Sequence, residues 1–485
     1  MRSSGLPGVL RNTPDEPVKT PLNESLSESR GGGTIVLVTV LLSTLLLPLS
    51  LTGASVALPD LQRDLGVGLT SAQWVVNSYN ACFAAFLVSA GSIADAVGRR
   101  RVYAFGVGLF FVSGLLTLFA QDIGALVALR ALGGVGAAAA VAGGGSMLAL
   151  AFEGPARARA FGMLGTVLGA GTAFGPAVAG LLVENLGWRF AFTGPALVAG
   201  AVLLLVVKVP AMRGNGRPVD WLGGALFTAA LLSLIGGLVE GPGRGLPVLA
   251  GFLGLSGVLF GLFTMVERRR TEPLVDLGLL ANRRFVAYAL AAATFMSVLV
   301  PLLVYLPSYL INVVGLGPGT AGLWLLFLTV PTLLLPAVGA ELANRLPHRA
   351  VVVSALLLLG AGVLGFTTLG PDSTPWSVSL PFLLVGAGVG LTGGMIDGLG
   401  LSVVPPERLG TASGVFNATR LSLETVSIAA VGAALAVLTG GQLSDPAFTG
   451  ALHGVALALG GFVLLVVFAV LALTRTPRVR VPTGR

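Results

Sequence analysis

The sequence is poor in cysteine, histidine and charge, and each shortage excludes a class of protein. Cys82 is the only cysteine, which excludes a disulfide within one chain and a cysteine-ligated metal site. The two histidines, His348 and His453, lie far apart and give no basis for a metal enzyme. Charged residues make up 10% of the chain, whereas soluble domains carry about 25%. We therefore expect a protein that is not soluble and that holds no metal or other cofactor.

Apolar residues dominate the chain and occur in long runs. They make up 54% of the 485 residues, and the mean hydropathy is +0.91. A membrane-spanning helix needs about 20 mostly apolar residues, so these runs predict an all-α membrane protein with 14 transmembrane helices. The predicted spans are 34–56, 72–93, 102–120, 124–149, 160–183, 189–209, 221–240, 246–266, 284–307, 318–342, 350–370, 377–402, 411–438 and 453–474.

The basic residues lie in short segments between the apolar runs. The 29 Lys and Arg residues exceed the 21 Asp and Glu residues but form no single patch, so we expect no nucleic-acid partner. Cytoplasmic loops of membrane proteins are enriched in Lys and Arg. With a cytoplasmic N-terminus, the predicted spans place 24 of the 29 basic residues in cytoplasmic segments. Both termini are therefore predicted to be cytoplasmic, with a disordered tail at 1–33 and a second tail at 476–485.

A short charged loop occurs twice in the chain. Gly91–Arg101 follows the second predicted span and Ala340–Arg349 follows the tenth, with Asp95 in the first copy and Asn344 at the matching place in the second. Repeated units of this kind build transporters whose substrate site lies between the two halves. The predicted units are a six-helix bundle at 34–210, two inserted helices with their linkers at 211–283, and a six-helix bundle at 284–475.

Three motifs resemble those of the major facilitator superfamily. Gly91–Arg101 resembles its conserved loop, residues 126–136 resemble its fourth-span motif, and residues 165–180 resemble the fifth-span motif of its drug:proton antiporters. The span count makes the chain similar to the 14-spanner QacA/EmrB-like branch. The resemblance implies gating by Gly91, Asp95, Gly98, Arg99 and Arg100. It implies an antiporter motif at Gly171, Gly175, Pro176 and Gly180.

Each of these motifs also has a plain structural interpretation. The resemblance implies that Asp95 meets the N-terminus of the thirteenth span near Gly410 in one conformation only, which would bias alternating access. The alternative is a solvated carboxylate balanced by the neighbouring arginines. The small residues of the fifth span are expected to pack against the other half and restrict leak, although 70 glycines make generic helix packing an alternative.

Four charged residues inside the predicted spans are candidates for proton coupling. Arg130 is expected to face a wet cavity and to have a partner, because an arginine in the membrane is costly; the alternative is that it extends to the membrane surface. Glu424 lies deep in the thirteenth span, one helical turn after Arg420. We predict that Glu424 carries the proton, or alternatively forms a fixed ion pair with Arg420. Asp397 is either a second proton carrier or an interfacial carboxylate.

The sequence departs from the branch at one position that bears on coupling. Members usually carry an aspartate in the first span, shortly before an Ala-Leu-Pro; here Ser50 holds that place before Pro59. No first-span carboxylate is therefore available at this position to bind a cation or a proton. Four other carboxylates map to external helix ends, where we expect them to be solvated: Asp60, Asp64, Glu184 and Glu240.

The leading prediction is a monomeric transporter in a bacterial cell membrane. It exports a small amphipathic drug or natural product by alternating access and uses the proton gradient as its energy source. A proton-coupled importer of a small metabolite is the alternative on the same fold. A membrane enzyme is not expected, because no nucleophile motif or cluster of metal ligands occurs in the sequence. A sensor or scaffold is disfavoured by the short loops.

Overall fold

The fold is helical throughout the parts of the chain that the structure describes. The computed structural model describes residues 21–212, 214, 219–270, 277–405, 409–441 and 446–474. Apolar runs form helices because a helix satisfies its own backbone hydrogen bonds, as a membrane interior requires. The first half contains α1 (Pro21–Leu65), α2 (Leu69–Val97), α3 (Arg99–Leu116), α4 (Ile123–Ala151), α5 (Gly154–Leu186) and α6 (Phe190–Val206). The inserted pair is α7 (Trp221–Arg244) and α8 (Leu246–Glu267).

The second half follows the same plan with more interruptions. Two of its predicted spans are divided into shorter helices. Its helices are α9 (Arg283–Asn312), α10 (Pro318–Trp324), α11 (Leu326–Leu334), α12 (Pro336–Arg345), α13 (His348–Gly365), α14 (Pro375–Thr392), α15 (Met395–Ser402), α16 (Leu409–Thr439) and α17 (Ala447–Leu473).

The predicted count of 14 spans is not confirmed. Within the described residues, 12 helices are long and apolar enough to cross a membrane, or 13 if α11 and α12, which meet at a bend of 49°, form one span. The predicted span 189–209 corresponds to α6, which is only 17 residues long. The predicted span 318–342 is divided into α10, α11 and α12. The break between α11 and α12 falls at Pro336, which lacks the N–H that would continue α11.

The N-terminal boundary also differs from the prediction. Helix α1 begins at Pro21 rather than at residue 34, so the disordered tail predicted for 1–33 is wrong for its last part. Residues 1–20 and the predicted tail at 476–485 lie outside the described residues.

Successive spans run in opposite directions, so the bundle has two distinct ends. One end, called here the basic end, carries the turn from α2 to α3 with Arg99–Arg101 and the end of α6; Arg100 donates to the Val207 carbonyl there at 3.0 Å. The other, called the opposite end, carries the turns from α1 to α2 and from α5 to α6. Asp64 accepts a hydrogen bond from Trp188 Nε1 there at 2.9 Å.

The apolar core is distributed unequally between these ends. The largest cluster of buried apolar side chains runs the length of the second half and includes residues of the first half toward the opposite end, where Leu58 and Val183 join Leu306 and Leu325. A second cluster, toward the basic end, consists of residues of the first half: Val36, Val40, Leu46, Tyr79, Tyr103, Val107, Phe110, Ala137, Met147, Leu148, Ala160, Ala199, Val202, Val206 and Val209. The buried contact between the halves is therefore concentrated at the opposite end.

Helix α7 lies in the seam between α2 and α16. Its Leu231, Ile235 and Val239 form one buried cluster with Ala85 of α2 and Ala429 of α16. Two of its polar bonds go to the first half: Thr228 donates to the Ala85 carbonyl at 2.9 Å, and Glu240 accepts from Trp74 at 2.7 Å. The inserted helix is thus bonded to one half and in apolar contact with the other.

Candidate functional site

Helices α5 and α10 meet at backbone distance near the opposite end. A Cβ atom at Gly180 would overlap the Pro318 carbonyl oxygen, and a Cβ atom at Gly322 would overlap the Pro176 carbonyl oxygen. Each helix therefore supplies the small residue that admits the backbone of the other. Pro176 and Gly180 of the predicted antiporter motif lie at the contact between the two halves.

The other two residues of the motif face their own half. A Cβ atom at Gly171 would lie against Pro48, and one at Gly175 against the Thr52 hydroxyl, and both partners belong to α1. The expectation that the whole motif packs against the other half is therefore wrong for these two positions. Residues four apart lie on one face of a helix, so Gly171 and Gly175 both face α1, while Pro176 and Gly180 lie on the adjacent face, which meets α10.

Three hydrogen bonds reinforce the contact between the halves. The Gly319 N–H donates to Glu184 Oε2 at 3.0 Å, and Thr329 Oγ1 donates to the Ala173 carbonyl at 2.6 Å. Gln73 Nε2 of α2 donates to the Gly432 carbonyl of α16 at 2.8 Å. Each joins residues in the parts of their helices that lie nearer the opposite end.

The predicted gating residues lie together at the basic end. Gly98 separates α2 from α3 with a φ of 121°, a backbone conformation that strongly favours glycine. Asp95 pairs with Arg99 at 2.8 Å, and the Asp95 side chain is 45% exposed. A Cβ atom at Gly91 would meet nothing within 4 Å. The carboxylate is thus engaged by its own half in this conformation, and its gating role stays a prediction.

Arg130 of α4 is buried inside the first half. It is only 5% exposed, so it does not extend to the membrane surface. Its Nε donates to the Val75 carbonyl at 3.0 Å, and its Nη1 donates to Ser50 Oγ at 2.8 Å. The guanidinium lies 4.2 Å from the centre of the Tyr79 ring and 5.2 Å from that of Phe192. The partners of this cation are neutral.

Ser50 therefore takes the place of an acidic partner. It sits where the resembling branch usually has aspartate, and it contacts Arg130 directly. The Nη2 atom of Arg130 is buried without a hydrogen-bond partner among the described residues. The expected partner for this arginine exists, but it contributes a hydroxyl and no charge.

Three polar residues of the second half form a different kind of cluster. Arg420 of α16 donates to Asn417 Oδ1 at 2.9 Å and lies 3.6 Å from Asp397 Oδ2. Asp397 is placed there by the break between α14 and α15, where Gly394 has a φ of 75°. Glu424 is partly buried one turn along α16 from Arg420. Within the described part of the chain, no ion pair joins Arg420 to Glu424, so the alternative of a fixed pair between these two residues is absent from this conformation. The carboxylate that approaches Arg420 is that of Asp397.

Three carboxylates that were expected to be solvated hold helices together. Asp64 accepts from Trp188 and from Arg189, both at 2.9 Å. Glu184 bonds across to α10, and Glu240 accepts from Trp74. Their partners include tryptophan N–H and backbone N–H groups, which periodicity and charge patterns do not identify.

The sequence matches a known protein family over most of its length. The model of the Major Facilitator Superfamily matches residues 40–427. The chain belongs to the major facilitator superfamily. This confirms the predicted family and the prediction of a transport protein rather than an enzyme.

Similar proteins come from actinobacteria and are named for resistance or export. The puromycin resistance protein pur8 of Streptomyces alboniger is 34% identical over 461 residues, which cover 90% of each chain. The multidrug resistance protein Stp of Mycobacterium tuberculosis is 34% identical over 391 residues, covering 79% of this chain and 72% of the relative. The probable actinorhodin transporter of Streptomyces coelicolor is 34% identical over 424 residues, covering 82% and 72%.

Solved structures of other transporters have a similar fold. A peptide transporter POT in complex with sulfate aligns with a TM-score of 0.67 at 15% identity, over 90% of this chain and 95% of the other. A mutant of the nucleoside transporter NupG aligns with a TM-score of 0.64 at 14% identity, over 91% and 100%. At this identity the likeness shows the fold alone.

Proposed function

We propose that the protein exports drugs or amphipathic natural products from a bacterial cell in exchange for protons. The observation that carries this proposal is the reciprocal contact of Gly180 with Pro318 and of Gly322 with Pro176, which places part of the antiporter motif where the two halves close. The relatives support it, because proteins at 34% identity are named for resistance to puromycin and to multiple drugs.

The proposed topology has 14 spans in the plasma membrane and both termini in the cytoplasm. It counts α6 as a short span and α10, α11 and α12 together as one broken span. The basic end is then cytoplasmic, as the enrichment of Arg and Lys in cytoplasmic loops requires. The closed opposite end faces outward, so this conformation presents its substrate site to the cytoplasm. The chain acts as a monomer, since each six-helix half finds its partner within the same chain.

Protons are handled by the second half in this proposal. Arg420 lies within one helical turn of Glu424 and within 3.6 Å of Asp397, so a change of side-chain rotamer can bring it to either carboxylate. When Glu424 is protonated, Arg420 stays with Asp397, as in the conformation described. When Glu424 releases its proton to the cytoplasm, its charge attracts Arg420. Drug binding and proton release are coupled, in this proposal, through the carboxylate with which Arg420 pairs.

The loop at the basic end acts as the gate. Asp95 is held by Arg99 in the inward-facing conformation. In the outward-facing conformation the N-terminus of α16 approaches α2, and its partial positive charge stabilises the Asp95 carboxylate by about 0.3–1 kcal/mol, more if the group is partly buried. A contact made in one state only shifts the balance between the two states.

Everted membrane vesicles test this function directly. Vesicles from a pump-deficient bacterium that expresses the chain should accumulate drugs from a compound panel when a proton gradient is imposed. A protonophore should abolish the accumulation. Accumulation in right-side-out cells instead of everted vesicles would identify the protein as an importer and refute the proposal.

A further inference from the structure

An open apolar groove runs along α2, α3 and α4 at the basic end of the first half. Its volume is about 350 Å³. Its floor consists of the small or buried side chains of Ala90, Val102 and Ala139, which are 7%, 8% and 5% exposed. Its walls include Val97 and Phe105, which are 52% and 63% exposed. Because α3 packs against α2, α4 and α6 of its own half, the groove opens toward the surrounding membrane.

The groove has the depth of one leaflet of a bilayer. Along α2 it runs from Phe86 to Val97, which is about 16 Å at a rise of 1.5 Å per residue. The hydrocarbon core of a bilayer is about 30 Å thick, so one leaflet contributes about 15 Å. Val97 is the last residue of α2, so the groove begins at the membrane surface and runs toward the middle of the membrane. A phospholipid acyl chain in that leaflet has the same direction, depth and apolar character.

Arg101 is the charged residue of the groove, and it lies at the surface end. The two arginines before it are engaged, since Arg99 pairs with Asp95 at 2.8 Å and Arg100 donates to the Val207 carbonyl at 3.0 Å. Arg101 is exposed and has no hydrogen-bond or ion-pair partner within the described residues. It belongs to the first turn of α3, where the helix macrodipole also favours an anion. The mouth of the groove is therefore positively charged and not neutralised.

The acidic residue nearest in sequence faces away from the groove. Asp95 is two residues from both Ile93 and Val97, which line the groove, and two residues turn a helix by about 200°. Its carboxylate is paired with Arg99. The groove thus offers a cation beside a long apolar surface, a combination that matches a lipid with a negatively charged head group.

We propose that this groove binds an anionic phospholipid, with one acyl chain between Val97 and Phe105 and the head-group phosphate against Arg101. A guanidinium binds phosphate through two parallel hydrogen bonds, and basic pockets between membrane helices bind anionic head groups. A zwitterionic lipid would bring its own positive charge toward Arg101 and lose part of this attraction. The lipid site goes beyond the proposed export function and does not depend on it.

Native mass spectrometry of the full chain measures the binding of single lipids. The purified protein in detergent is titrated with dioleoylphosphatidylglycerol and with dioleoylphosphatidylcholine, which share their acyl chains and differ in head-group charge. Wild type should bind the first phosphatidylglycerol about fivefold more tightly than the first phosphatidylcholine, as expected for one arginine at a membrane surface. Equal affinities for the two lipids overturn the proposal.

Two arginine substitutions show whether this preference belongs to the groove. Arg101→Gln should reduce the preference to within about twofold. Arg269→Gln is the matched control, because Arg269 is exposed just after α8 and does not line the groove, so this variant should keep the wild-type preference. Equal losses in the two variants would assign the preference to the overall positive charge of the protein and overturn the proposal.

The apolar part of the site is tested separately. Ala90→Leu places a larger side chain on the floor of the groove and should weaken binding of dioleoylphosphatidylglycerol by about fivefold or more. An unchanged affinity overturns the proposal. If this variant is not monodisperse, phosphatidylglycerol with six-carbon chains replaces it and must bind wild type at least about tenfold more weakly than the dioleoyl lipid. Equal binding of the short lipid would mean that Arg101 holds a phosphate without the groove, which also overturns the proposal.

Discussion

Each half of the molecule has an arginine within a predicted span, and the surroundings of the two arginines differ: Arg130 is buried, whereas the Arg420 side chain is 27% exposed. In the first half, Arg130 has neutral partners and belongs to a rigid cluster with Ser50 and Tyr79. In the second half, Arg420 has Asp397 nearby and Glu424 one turn away. An arginine with two carboxylates can change partners when one is protonated, whereas an arginine with none keeps a constant charge. In our proposal, proton exchange therefore belongs to the second half, and the first half carries a constant charge.

The largest effect is expected at Glu424. Glu424→Gln removes the carboxylate that we propose as the proton carrier, so proton-driven drug accumulation in vesicles should fall to the rate of passive leak. Glu341→Gln is the control, because Glu341 is exposed and pairs with Arg345 at the basic end. Wild-type accumulation by Glu424→Gln would contradict the proposed difference between the halves, since Glu424 would then not be needed for proton exchange.

A large effect is also expected where the two halves meet. Gly180→Val forces a branched side chain against the Pro318 carbonyl, and overpacking of this kind costs about 1–3 kcal/mol. The closed outer contact should be disfavoured and transport should fall about tenfold or more. Gly165→Val is the control on the same helix, since a Cβ there meets nothing within 4 Å. Equal transport by both variants would show that α5 and α10 do not close the outer end.

The two copies of the charged loop provide a sharper comparison. Asp95→Asn removes the only carboxylate at this repeated position, so drug accumulation should fall about fivefold, in line with a helix-terminus interaction. Membrane expression should be unchanged. Asn344→Asp, which restores the carboxylate in the second copy, should change accumulation little, because we expect no helix terminus to approach it. A normal rate for Asp95→Asn would contradict the gating role.

The smallest effect is expected for a structural carboxylate of the first half. Asp64→Asn weakens the hydrogen bonds from Trp188 and Arg189, at a cost of about 1 kcal/mol. The melting temperature should fall by about 1–2 °C, measured by the unfolding of purified protein, and transport should be unchanged. A loss of proton coupling in this variant would mean that the first half also takes part in proton exchange.

The sequence identified the helical fold well, because apolar runs are long and basic residues mark one end of the bundle. It failed where local chemistry interrupts a run. Proline at 336 divides a predicted span, and the turn at Gly394 divides another. Helix α6 is shorter than its apolar run because its last residues form turns.

The site was predicted by residue type but not by pairing. Arg130, Glu424 and Asp397 were singled out because charges are rare within the spans. Which of them meet depends on how α1, α15 and α16 pack, and a single sequence does not contain that information. Ser50 appeared in the sequence only as a missing aspartate; its hydrogen bond to Arg130 required the fold.

Proton release on drug binding tests the central claim most directly. Purified protein in weakly buffered detergent solution is mixed with a drug that wild type exports, and a pH indicator records the protons released. Wild type and Glu341→Gln should release protons, and Glu424→Gln should release none. Undiminished release by Glu424→Gln would contradict the assignment of proton exchange to the second half.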